Sequence, residues 1–406
     1  MSGREFFSVR TLAQARAGFR PRRRTAVESV TLTDALRRAP AVDVHSPEDL
    51  PGFARSTVDG YAVRAADTYG ASEGLPSYLD VAGSVRMGAA AQVTVAPGRC
   101  VAVPTGGALP DGADAVVMVE HTAQAMPGTI EVNRPVAPGS GVVSADEDVA
   151  AGAVLIRAGR PVRSADLGLL AAAGVTELPV HARPRVVVIA TGDEIVPPSR
   201  RELTPGQIRD ATSSALVGLI QEAGGTAVQA GIVADDPGAL VEALRDALDH
   251  ADLIVISAGS SVGARDETAT AVAELGELWC HGLAIKPGKP TLLAHCGDVP
   301  VIGLPGNPLS ALVVFRLLGI PLIHDLTGCD VPPTEPTLRT RLARDVPSAA
   351  GRLDVVQVRL TDGGAEPVHG PSALLRVLTT ADGYLLVPEP ATGLAAGTEV
   401  EVVLYR

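Results

Sequence analysis

The chain has 406 residues, of which 46% are hydrophobic, 20% charged and only 3% aromatic, a composition that excludes disorder and is too long for a single core. A formal net charge of −12 excludes general nucleic-acid binding, and no run approaches the roughly 18 uninterrupted apolar residues of a bilayer span, so no membrane insertion is expected. The first residues lack the apolar segment of a secretory signal, and the four cysteines Cys100, Cys280, Cys296 and Cys329 have neither CxxC spacing nor the density of a disulfide framework. A reducing, cytoplasmic location is the expectation.

In chain order, Arg4, Arg10, Arg16, Arg20, Arg22, Arg23 and Arg24 make the first segment locally basic, which reads as a solvated helix and linker in preference to a phosphate-binding patch. Residues 9–18 and 164–173 carry helical patterns and are expected to pack together in an outer mixed domain built from 1–26, 44–54 and 146–180. Short valine-bearing runs such as 101–104 and 115–120, set among glycine and proline, predict a β-rich domain from 27–43 with 55–145. From about residue 185, β-branched runs at 185–190, 227–233, 253–257 and 299–303 alternate with helical patterns at 213–223 and 239–250. This alternation predicts an α/β domain over 181–328, a parallel-rich sheet with helices on both faces. Residues 327–333 read as a linker, and alternating segments at 355–360, 383–387 and 399–405 predict a C-terminal β domain over 334–406.

In open α/β sheets ligands sit beyond the carboxyl ends of the strands, and the loops expected there are loaded with polar groups. They are Thr191-Gly-Asp-Glu194, Asp235-Asp236, Ser257-Ala-Gly-Ser-Ser-Val-Gly-Ala-Arg-Asp266 and Gly303-Leu-Pro-Gly-Asn-Pro308. The run from Ser257 to Gly263 offers N–H groups and hydroxyls to an oxyanion, although a plain tight turn accounts equally well for its glycines. The chain has 34 basic residues, and the only lysines are Lys286 and Lys289, three residues apart in Ile285-Lys-Pro-Gly-Lys-Pro290. A compact ammonium and a planar guanidinium are not interchangeable in a tight anion site, so this pair marks anion binding. Asp235 and Asp266 are placed to hold Mg²⁺ against a bound phosphate, or else to cap the helices that follow; Glu194 sits where a carboxylate orients water or a metal, or else caps a helix. Cys280-His281 and His295-Cys296 flank an expected hairpin and read as buried structural residues, not as metal ligands.

Several segments together resemble the molybdopterin molybdenumtransferases, the MoeA family related to the E domain of gephyrin. They are Ser56-Thr-Val-Asp-Gly-Tyr-Ala-Val-Arg64, Pro104-Thr-Gly106 with Pro110-Asp-Gly-Ala-Asp-Ala-Val-Val-Met-Val-Glu120, Thr191-Gly-Asp-Glu194, Ile285-Lys-Pro-Gly-Lys-Pro290 and Gly303-Leu-Pro-Gly-Asn-Pro-Leu-Ser310. The resemblance implies a four-domain homodimer around a molybdopterin-binding-type α/β domain. It also implies insertion of molybdate into adenylylated molybdopterin, with Mg²⁺-dependent release of AMP. A molybdopterin adenylyltransferase would stand upstream and recipient molybdoenzymes downstream. Carried over residue by residue, Lys286, Lys289 and Ser261 would bind molybdate or phosphate, and Asp235 and Asp266 the cation. Asp59, Asp148 and Glu194 would act in catalysis, with Thr105, Ser257, Gly259, Pro290, Gly306, Asn307 and Ser372 binding the cofactor precursor. Asp59, Thr105 and Asp148 would reach the cleft of a partner subunit; by themselves they read as turn residues.

The chain departs from the family pattern at Ala258, Ser260 and Ala264 in the serine loop, at Val143-Ser-Ala-Asp-Glu-Asp148 and at Asp210-Ala-Thr212. Gln357 stands where an arginine is common, leaving Arg352, Arg359 and Ser372 as oxyanion contacts. These departures keep open a paralogue that carries the cofactor or scaffolds a partner, and, from the α/β domain alone, a nucleotide pyrophosphatase.

Overall fold

The computed structural model describes residues 9–257 and 262–405. Its centre is a six-stranded sheet in the order Thr226–Val233, Arg185–Thr191, Leu253–Ser257, Val299–Leu304, Leu292–Cys296, Glu277–His281. The first four strands run parallel and Leu292–Cys296 pairs antiparallel with both its neighbours. Val186, Val188, Leu253 and Val255 are buried on one face, under the helix Ala211–Glu222 and the helical run from Pro308 to Leu326. Val187, Ile189, Ile254 and Ile256 are buried on the other, under Pro237–Leu248 and Val262–Leu275. Covering both faces is why these strands are written as continuous apolar runs.

The Pro308–Leu326 run is long and apolar enough to cross a membrane, but it is mostly buried inside the protein, where it forms the core of one layer. Pro321 has no N–H to give to the carbonyl four residues earlier, and the run passes through a π-helical turn at Phe315–Gly319. Arg16 Nε donates to that carbonyl, on Leu317, at 2.9 Å. Gly319 is required here, since a Cβ would lie 2.3 Å from the Phe315 ring.

The donor Arg16 belongs to the helix Leu12–Gly18, started by a reciprocal pair of hydrogen bonds between Thr11 and Gln14. Leu12, Ala15 and Phe19 enter the core of the central domain, whereas Leu170 of the helix Ser164–Ala172 lies in a separate cluster. The expected packing of these two helices on each other is therefore corrected: the N-terminal apolar face fits the long helical run. The basic segment is not a solvated linker either. Arg20 pairs with Asp325, Arg22 with Glu277 and Arg23 with Asp252, strapping the arm to the central domain, and Arg24 pairs with Asp330 of the following linker.

Residues 27–43 also depart from expectation. Val27–Thr31 pairs antiparallel with Glu177–His181, and Ala35 packs with Val44, Ile156, Leu170 and Val180, so this segment builds the outer domain and not the β-rich one. The β-rich domain is a six-stranded sheet ordered Ala115–Met118, Gly60–Val63, Arg99–Val103, Ser77–Ser84, Thr129–Val132, Thr122–Met126. The C-terminal sheet is ordered Ile285–Lys286, Leu353–Thr361, Gly383–Val387, Glu399–Leu404, Thr337–Arg341. Its outermost strand thus comes from the central domain, carrying one of the two lysines.

Candidate functional site

The strand register places the predicted loops at one end of the central sheet. Ala190 is opposite Ser257, Ser257 opposite Leu304, and Thr191 opposite Val233. Glu194, Asp235, Ser257 and the Gly306-Asn307 turn therefore share one rim. Gly192 has φ of 140°, and the Glu194 carboxylate folds over it so closely that a Cβ there would meet Oε2 at 2.6 Å. Asp193 Oδ1 accepts from the Asp235 backbone N–H at 3.2 Å, joining the first two loops, a role the sequence did not mark. The cap of the helix Pro237–Leu248 is Asp236, which accepts from Ala239 N at 2.8 Å, so Asp235 is not the capping residue. Asp210 similarly caps Ala211–Glu222 through Ser213 N. Gly259 and Ser261 lie outside the described residues; Asp266 lies on the helix Val262–Leu275, its side chain undescribed.

Beside this rim is a cleft of about 900 Å³ between the central and C-terminal domains. Lys286, Lys289, Pro290, Gly306, Asn307 and Ser372 line it, with Arg352 and Asp354 on the C-terminal wall. The lysine loop is braced at several points: Leu283 N donates to Lys289 O, buried Thr291 Oγ1 donates to Gly288 O at 2.7 Å, and Gly288 packs against Val314 where a Cβ would clash at 2.5 Å. Both ammonium-bearing residues are nevertheless exposed. Asn307 does not cap its own helix; its Nδ2 donates to Ser372 Oγ at 2.9 Å while Leu309 N donates to Ser372 O, which fastens the C-terminal domain to the rim.

The remaining predicted residues sit elsewhere. Asp59 and Thr105 are brought together in the β-rich domain, where Asp59 Oδ1 accepts from Thr105 N at 2.8 Å and from its hydroxyl at 3.2 Å. Asp148 is exposed on the loop whose backbone bonds to Leu50. None of the three lines the cleft. Arg359 is corrected as an oxyanion contact, because it pairs with Glu366 at 2.6 Å away from the cleft. Gln357 is buried at the cleft wall, its Oε1 accepting from Tyr405 OH.

The Cys280-His281 and His295-Cys296 pairs lie on the antiparallel strands Glu277–His281 and Leu292–Cys296, all four buried. His295 bonds to the Arg20 carbonyl and rests on Phe19, and burial lowers its pKa. Burial pushes the thiols of Cys280 and Cys296 up to about 11. Among the described residues no three His, Cys, Asp or Glu side chains converge as a metal cluster.

This is a multidomain protein in which an α/β domain of the molybdopterin-binding type is framed by three further units. Residues 9–174 match the MoeA N-terminal region (domains I and II), 187–325 the probable molybdopterin binding domain and 339–405 the MoeA C-terminal region (domain IV). The chain is 36% identical over 389 residues to molybdopterin molybdenumtransferase 2 of Mycobacterium tuberculosis, covering 92% of this chain and 94% of that protein. It is 31% identical over 389 residues to the molybdopterin molybdenumtransferase of Bacillus subtilis, covering 93% and 90%. The crystal structure of the molybdopterin biosynthesis MoeA protein from Pyrococcus horikoshii OT3 superposes with a TM-score of 0.85 at 31% identity, covering 98% of this chain and all of that one. The chain belongs to the MoeA family.

Proposed function

We propose that the chain is a molybdopterin molybdenumtransferase, inserting molybdate into adenylylated molybdopterin with release of AMP in the last stage of molybdenum cofactor synthesis. The observation that carries this reading is that both lysines of a chain otherwise rich in arginine line the interdomain cleft. A substrate bearing a pyrophosphate and a co-substrate that is itself an oxyanion call for compact cations and N–H donors. Lys286 and Lys289 bind molybdate or phosphate, with Ser261 and Gly259 supplying the phosphate cradle and Pro290, Gly306, Asn307 and Ser372 shaping the pocket.

Oxygen donors at the rim fit a hard cation held partly by substrate, since Mg²⁺ is usually carried by one or two carboxylates together with phosphate oxygens. Asp235 and Asp266 would hold it, and the ion would supply positive charge opposite the phosphate oxygens of the AMP leaving group. Glu194 orients the reacting groups at the rim. Asp59, Thr105 and Asp148 serve the cleft of a second copy, so the working form is a homodimer. The buried, unpaired thiols support a cytoplasmic location, where a molybdopterin adenylyltransferase supplies the substrate and molybdoenzymes receive the product.

The test follows AMP release from adenylylated molybdopterin with Mg²⁺, with and without molybdate, and reconstitution of a cofactor-free molybdoenzyme by the product. Molybdate-dependent release with reconstitution is expected. Tight binding with neither outcome overturns the enzymatic reading in favour of a carrier. Hydrolysis of ordinary dinucleotides without molybdate overturns it in favour of a pyrophosphatase.

A further inference from the structure

Ile285–Lys286 runs parallel to the start of Leu353–Thr361, with Ile285 opposite Leu353 and Lys286 opposite Asp354, and Leu353 N donates to Ala284 O at 2.8 Å. Neighbours in such a register project to the same side of the sheet. The Asp354 side chain is 4% exposed and that of Lys286 57% exposed, with Nζ 3.7 Å from Oδ2. The other carboxylate oxygen accepts from Arg352 Nε at 3.0 Å. A buried carboxylate is costly unless paired, so Asp354 holds its two cations at the cleft wall. Lysine needs that restraint, because its four-carbon stem otherwise samples many rotamers.

We propose that Asp354 is a positioning residue: it fixes where the Lys286 ammonium meets an incoming oxyanion, and so makes oxyanion affinity depend on docking of the C-terminal domain. This rests on the reading of Lys286 as an oxyanion ligand.

The chain has only two lysines, so protein grown with ¹³C-labelled lysine gives only two side-chain signals, and Lys286→Ala identifies which belongs to Lys286. Molybdate titration of the full chain is followed by these signals and by calorimetry. In Asp354→Asn, the Lys286 signal is expected to move to the solvent-averaged position while that of Lys289 stays, and molybdate affinity to fall about tenfold. Asp354→Asn placed on Lys286→Ala is expected to add only the smaller change from the freed Arg352, well short of tenfold. Asp354→Glu, which keeps the charge and the fold, is expected to shift the Lys286 signal and recover part of the affinity.

An unmoved Lys286 signal, tighter binding, or an equal loss with and without Lys286 overturns the proposal. If Asp354→Asn does not fold, an unchanged Lys286 signal in Asp354→Glu overturns it alone. Failure of the underlying reading looks different: Lys286→Ala then binds molybdate like the wild type.

Discussion

Thr105 gives both its backbone N–H and its hydroxyl to a single oxygen of Asp59, at 2.8 and 3.2 Å, with both residues exposed on the β-rich domain. A carboxylate held this way is aimed before any ligand arrives. Thr105→Ala removes only the hydroxyl bond and is expected to lower turnover several-fold, while Asp59→Asn lowers it by about two orders of magnitude. Both should melt within a few degrees of the wild type, since both sites are exposed. Steady-state AMP release beside thermal unfolding checks this. Loss of stability in proportion to activity would reduce Asp59 to a turn residue.

Gly192 tests the rim. Adding a methyl at φ of 140° and 2.6 Å from Glu194 Oε2 displaces that carboxylate. Gly192→Ala is expected to cost about 1–3 kcal/mol in stability from backbone strain and to abolish most activity even where the protein remains folded. Comparing denaturant unfolding with turnover at a temperature well below the transition separates the two effects.

Asp166 governs the acid behaviour of the outer domain. Its burial favours the neutral form, but hydrogen bonds from Arg160, Arg163 and the Arg163 backbone outweigh that and hold the carboxyl well below its ordinary 3.8. A depressed folded pKa stabilises the protein above the unfolded pKa, and that contribution is lost as pH falls through 3.8 toward the folded value. Asp166→Asn should therefore cost about 2 kcal/mol near neutrality, after discounting for the exposed Arg163, and progressively less as unfolding is measured below pH 3.8. A difference that is constant with pH would contradict the assignment.

All four thiols are buried and their pKa values raised, to about 12 for Cys100, because of burial and then Asp80, and to about 11 for the others. A thiol-specific reagent at pH 8 should find almost no reactive group in the folded chain and four in denaturant. Fast labelling of any of them in native protein would count against the fold.

Arg16→Met keeps the apolar stem and removes the donor to Leu317 O. Leaving that carbonyl without its partner is expected to cost about 1–2 kcal/mol, read as a lowered melting temperature with unchanged oxyanion binding.

The middle of the central sheet was legible because strands such as Leu253–Ser257 are buried on both faces, and a short β-branched run bounded by turn residues, as at 185–190 and 253–257, reads as a buried strand. The lysine pair was legible by contrast with an otherwise arginine-only chain. The ownership of residues 27–43 was not, because it depends on Val27–Thr31 pairing with the distant Glu177–His181, and a strand pattern does not name its partner. The arginine arm misled for a related reason: a run of cations looks solvated until four acids from separate parts of the chain are brought beneath it. Asp354 was missed because a lone acid on a strand shows neither its burial nor the lysine beside it.

The parallel bridge between Ile285–Lys286 and the C-terminal sheet makes the proposed anion site a seam and not a cassette. A gene fusion that borrows only residues 181–328 inherits the sheet and both lysines, but leaves behind the strand against which one of them is set.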